Sequence, residues 1–127
     1  MARIFIICPV RAVTPAVEEQ ISDYVAQLEE ADHKVHWPLR DTDQNDPHGI
    51  DICMENCDAI IAADEVHIWF DPASTGSQFD RGMLFAILRL GFPKKVVLIN
   101  EVSPTPGRKS FENVFTALSA GFDLSRG

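Results

Sequence analysis

The sequence predicts an α/β domain: a three-layer, doubly wound parallel sheet of four to five strands. Short apolar runs alternate with segments of helical periodicity along the chain, and strand–helix alternation of that kind implies right-handed crossovers and helices on both sheet faces. The first run, Arg3 to Cys8, is almost continuously apolar rather than alternating, the pattern of a strand buried on both sides. The length of 127 residues fits one domain, 1–127, without internal repeat or linker. A flavodoxin/Rossmann-like arrangement follows.

Each element has its own signal. After the first strand, Thr14-Pro15 opens a helix, with Thr as N-cap and Pro at the first helical position. Val17, Ile21, Val25 and Leu28 recur at helical spacing, and Lys34 to Trp37 forms a second strand. Pro38 to His48 is polar and reads as a surface loop. From Asp51, the residues Cys53, Cys57, Ile60 and Ile61 keep helical spacing, and Glu65 to Phe70 is a third strand. Asp71 to Gly76 is a turn. The next helix runs from about Ser77 to Leu90 and is expected to bury Phe79, Met83, Ile87 and Leu90. Lys95 to Asn100 is a fourth strand, Ser103 to Arg108 a loop, and Phe111 to Leu118 a last helix.

Composition narrows the function. The chain carries 11 Lys+Arg against 19 Asp+Glu, a formal charge of -8, which disfavours nucleic-acid polymers and anionic membranes as partners. Cys8, Cys53 and Cys57 are an odd set without a CxxC pair, which argues for buried thiols in a reducing compartment. No signal peptide and no membrane-length apolar stretch is legible, so a cytoplasmic location is expected.

Familiar uses of the architecture are missing. There is no GxGxxG after the first strand and no GxxxxGK[ST]. The first strand ends without the acidic residues of a phosphoacceptor domain, and Pro9 to Val13 is not a hydroxyl-rich flavodoxin loop. Asp41 to Asn45 suggests a calcium loop, but Ile52 stands where a bidentate Glu is required and Asp46 where Gly belongs. Cys53 and Cys57 lack further soft ligands, and His33, His36, His48 and His67 show no metal-ligand spacing. No metal and no cofactor is expected.

Ligands bind such sheets beyond the carboxyl ends of the strands. There, Ser74, Thr75, Gly76 and Ser77 lead into a helix N-terminus, where unpaired N–H groups, the helix dipole and hydroxyls favour an anion. Asp80 is expected in the first helical turn, poised as nucleophile or base. The spacing Ser77-Gln78-Phe79-Asp80 equally matches a capping box, in which the acid caps the helix. His67 and Trp69 read as strand core, and Asp64 as a turn-former.

The segment Asn56 to Gly82 resembles the nucleoside 2-deoxyribosyltransferase family, including its 5′-monophosphate N-glycosidase branch. Ala63-Asp64 matches an alanine-aspartate at the start of strand three, Ser74-Thr75-Gly76 matches a loop S-x-G, and Asp80-Arg81-Gly82 stands where E-L-G is expected. Cys8-Pro9-Val10-Arg11 resembles the G-S-I-R turn of the monophosphate branch. The resemblance implies cleavage or transfer at the N-glycosidic bond of a (deoxy)nucleoside or nucleoside 5′-monophosphate, with Asp80 as nucleophile and an oxocarbenium-like transition state. It implies phosphate contacts from Arg11 and Ser74, beside Gly76 and Ser77, although a solvated arginine is an equal reading of Arg11. It also implies a homo-oligomer in which a neighbouring subunit closes the site near Ser110 and Asn113. Three positions depart from the family. Asp80 replaces a Glu, Asn56 replaces a helical acid and cannot relay a proton, and Phe5 replaces a Tyr. A replacement acid would come from Asp41, Asp43, Asp46 or Asp71, and an inactive nucleotide-binding module is the alternative.

Overall fold

The computed structural model describes residues 1–126. Its elements, in order, are β1 (Arg3–Ile7), α1 (Pro15–Glu30), β2 (Lys34–His36), α2 (Pro38–Asp41), α3 (Ile50–Ala62), β3 (Glu65–Ile68), α4 (Thr75–Arg89), β4 (Lys95–Leu98) and α5 (Phe111–Ser119). The four strands form one parallel sheet in the order β2-β1-β3-β4. This is the predicted α/β architecture, and it explains the unbroken apolar run of β1. That strand is central, and Ile4, Phe5, Ile6 and Ile7 are all buried.

Alternation along β1 divides the core in two. Ile4, Ile6 and Cys8 pack with Ile21 and Val25 of α1 and with Val35 and Trp37. Phe5 and Ile7 pack on the other face with Ile60 of α3, Leu84 and Ile87 of α4, and Phe115 and Leu118 of α5. Burial of aliphatic and aromatic side chains such as these contributes about 1.5–3 kcal/mol each. Helix α1 starts as its sequence dictates: Thr14 Oγ1 accepts from Val17 N at 3.3 Å, with Pro15 next. No helix among the described residues is long and apolar enough to cross a membrane.

Three expectations are corrected. Pro38 to His48 is not all loop. Pro38 starts the short helix α2, and Asp41 Oδ2 accepts from Trp37 N to hold its first turn. Helix α4 begins at Thr75 rather than Ser77, and it turns Ser77, Asp80, Arg81, Leu84 and Ile87 inward. Phe79 is 53% exposed and Leu90 75%, while Met83 only borders the core. Ile61 of α3 is likewise exposed, and Asn56 takes the inward place with Ile60. In both helices the sequence has apolar residues on an outer flank and polar residues facing the sheet, so a rule that puts apolar residues inside misplaces the buried face.

Candidate functional site

The carboxyl end of β1 and the amino end of α4 bring Cys8 and Asp80 near one another, with Ser74, Gly76 and Ser77 at the start of the same helix. Past β3, the side chain of Asn100 grips the chain as it leaves the sheet. Its Oδ1 accepts from Phe70 N at 2.7 Å and its Nδ2 donates to Phe70 O at 2.9 Å. Asp71 then turns the loop by accepting from Ala73 N. Ser74 is the N-cap of α4: its Oγ accepts from Ser77 N at 3.3 Å and donates to Ser77 Oγ at 2.9 Å. Ser77 is buried, whereas Gly76 is open, with nothing within 4 Å of the place a Cβ would occupy.

This start displaces the capping box. With Ser74 as cap and Thr75 first in the helix, Asp80 falls in the second turn and caps nothing. Its side chain faces the sheet at 8% exposure, and among the described residues its carboxylate makes no hydrogen bond. Burial pushes its pKa from 3.8 up to about 7, and the charge of Arg81 offsets only part of that cost. A buried carboxylate without hydrogen-bonding partners lowers stability when ionised, and groups perturbed in this way cluster at functional sites. Neighbouring Arg81 is buried too, with its guanidinium 4.4 Å from the Phe70 ring centroid and 5.7 Å from that of Phe115. It joins α4, α5 and the loop by stacking. Cys8 lies near enough to feel Asp80; burial, opposed by neighbouring Trp37 and aided slightly by that charge, pushes its thiol up to about 12, so it stays a neutral small hydrophobe.

Asn56 is buried on α3 at 6% exposure. Thr42 Oγ1 donates to its Oδ1 at 2.8 Å, and His36 Nε2 lies 2.8 Å from Thr42 Oγ1. The His36 ring stacks on Phe5, with centroids 5.4 Å apart, and burial lowers its pKa against the pull of Asp41 and Glu55. Among the described residues, the only fully enclosed side-chain polar atom without a partner is Trp37 Nε1. The unbonded Asn56 amide nitrogen therefore opens toward solvent.

The other predicted residues are placed elsewhere. Arg11 is exposed in the turn after β1. Ser110 is the N-cap of α5, its Oγ accepting from Asn113 N at 3.1 Å, and Asn113 fastens the preceding loop through Thr105 and Arg108. The four carboxylates offered as a replacement acid all have structural partners. Asp41 binds Arg40 and Trp37, Asp43 turns Asn45, Asp71 turns Ala73, and Asp46 accepts from Asp51 N and Ile52 N at the start of α3. His67 is core, as expected, with Tyr24 Oη 2.6 Å from its Nδ1 and Glu65 Oε1 2.8 Å from its Nε2. Asp64 accepts from Arg3 N where β3 begins. An apolar cavity of about 460 Å³ lies between α4 and α5, against Phe85, Phe111 and Phe115, on the flank of α4 away from Asp80.

Asn100, Thr42 and His36 are the site residues that sequence reasoning missed. Their roles depend on pairing across 6 to 30 positions, as in the bonds His36–Thr42 and Phe70–Asn100, and no local pattern encodes that.

The fold is the one shared by 2-deoxyribosyltransferase-like structures. The chain is similar to the CMP N-glycosidase BcmB of Clostridium botulinum, at 26% identity and a TM-score of 0.52, over 76% of this chain. It spans 66% of that protein's length. A 2-deoxyribosyltransferase from Bacillus psychrosaccharolyticus superposes over 98% of this chain and 94% of its own, with a TM-score of 0.60 at 14% identity. No protein-family model matches the sequence, and no curated protein matches it either.

Proposed function

We propose that this protein breaks the N-glycosidic bond of a nucleoside 5′-monophosphate or a (deoxy)nucleoside, with Asp80 as the nucleophile. The observation that carries the reading is Asp80 itself: a buried carboxylate with no partner, raised to about 7, in a fold shared with two proteins whose names state glycosidic chemistry. Ionised Asp80 attacks the anomeric carbon, and the bond to the base breaks with its electron pair going to the base. Water then attacks the same carbon, its hydroxyl staying on the sugar and its proton balancing the departed base, and Asp80 leaves as carboxylate. A second base in place of water makes the reaction a transfer.

The amino end of α4 suits the phosphate. Ser74, Gly76 and Ser77 surround the first backbone N–H groups of a 15-residue helix, and Arg11 is free to swing from the turn after β1. Ser110 belongs to this reading only if a second copy brings its α5 end to the site. The exposed Phe79, Phe85 and Phe111 favour such a homo-oligomer.

The test is a panel of nucleosides, deoxynucleosides and their 5′-monophosphates, with chromatography of the released base beside Asp80→Ala. Base release lost in the variant supports the reading, and the effect of an added acceptor base separates transfer from hydrolysis. Tight binding of one nucleotide without any product would instead identify an inactive nucleotide-binding module.

A further inference from the structure

Asn56 is held from behind by two residues that no substrate need touch. Thr42, 4% exposed, gives its single hydroxyl proton to Asn56 Oδ1, so its oxygen can only accept from His36 Nε2, 2.8 Å away. His36 Nε2 must then carry a proton, which in the neutral ring leaves Nδ1 bare. A reversed chain is also complete in principle: Asn56 turned over to donate through Nδ2, Thr42 donating to a bare Nε2, and the proton on Nδ1. The two chains present opposite groups on the open side of Asn56, an amide N–H pair in the first and a carbonyl in the second.

The surroundings of His36 favour the first chain. Among the described residues no group bonds His36 Nδ1, and in a half-buried ring stacked on Phe5 a bare acceptor is less costly to leave unpaired than an N–H. Protonating the ring, which burial and Arg40 oppose and the nearby Asp41 and Glu55 favour, puts a proton on both nitrogens and is compatible with the first chain alone. The first chain therefore serves both forms of the ring.

We propose that His36 and Thr42 are positioning residues that fix the Asn56 amide so that it presents its N–H pair, and that the site thereby recognises an acceptor oxygen on the substrate. The recognition half rests on the glycosidic reading; the direction of the chain does not.

Nitrogen-15 NMR of the imidazoles in the intact protein reads the chain directly. The expected result is His36 protonated at Nε2 and bare at Nδ1 near pH 8, and the opposite tautomer overturns the proposal. In the base-release assay with CMP, His36→Phe, which keeps the stacking ring, should lower kcat/KM about fivefold, the loss of one hydrogen bond of ordinary strength. His36→Gln, which retains an N–H at the same reach, should return most of it, and Thr42→Val should cost about tenfold. His36→Phe at the wild-type rate overturns the positioning role. Repeating the series with dCMP locates the acceptor: a Thr42→Val effect that vanishes names the 2′-hydroxyl, and one that persists names another oxygen of sugar or base. If the unaltered protein releases no base, the glycosidic reading fails alone. The tautomer and the calorimetric affinity for CMP, compared between wild type and His36→Phe, then decide the proposal.

Discussion

Replacing Asp80 by Asn should stabilise the protein above neutral pH while stopping base release. Folded Asp80 takes up its proton near pH 7, whereas the unfolded chain does so near 3.8. Between those values the native state holds more protons than the unfolded one, so this group lowers stability as pH rises through the window. At 1.36 kcal/mol per pH unit, the gap amounts to about 4 kcal/mol once pH exceeds 8. Asparagine keeps the shape and removes the charge, and it breaks no hydrogen bond, because the carboxylate makes none among the described residues. The assay is urea unfolding of both proteins at half-unit steps from pH 5 to 9. Asp41 and Asp46, whose carboxyls are held below their usual range, affect both curves alike, so the difference isolates Asp80. The gap should open from about 2 kcal/mol near pH 5 to about 4 kcal/mol by pH 8. Parallel curves would refute the burial argument, and with it the reason for assigning Asp80 the chemistry.

Other perturbations test the frame around the site. Asn100→Ala removes both bonds to Phe70 and should cost about 1–3 kcal/mol, with hydrogen exchange rising at residues 70–76 and not in β1. Ser74→Ala removes the N-cap of α4 and should cost about 1 kcal/mol, a fall in Tm of roughly 3 to 5 °C for a chain of this size, read by thermal melting. Tyr24→Phe leaves His67 Nδ1 buried without its partner and should cost about 1–2 kcal/mol in urea unfolding, with base release unchanged.

The sheet was legible because its signals are local. The run Ile4 to Ile7 announces a central strand, Thr14-Pro15 a helix start, and the alternation of runs and helices the parallel order. The candidate site was legible only in part. Asp80 stood out through its place in a motif, but its helix was set two residues late, because Ser77 offers the same capping chemistry as Ser74. Phe79 and Leu90 looked like core since periodicity reports that an apolar stripe exists without saying which side it faces. A signal for Asn56 was available: it lies one turn before the buried Ile60. The Thr42 and His36 behind it come from another loop and strand, joined to Asn56 only by the folded chain.

The grip of Asn100 on Phe70 has a consequence for timing. One side-chain amide meets both the N–H and the C=O of a residue just past β3, as the next peptide of a neighbouring strand would. The sheet thus continues one rung further than its backbone pairing, and the turn that follows sets out from a fixed point. Free and occupied protein should therefore have the same loop path from 70 to 76, with association limited by diffusion and orientation instead of closure.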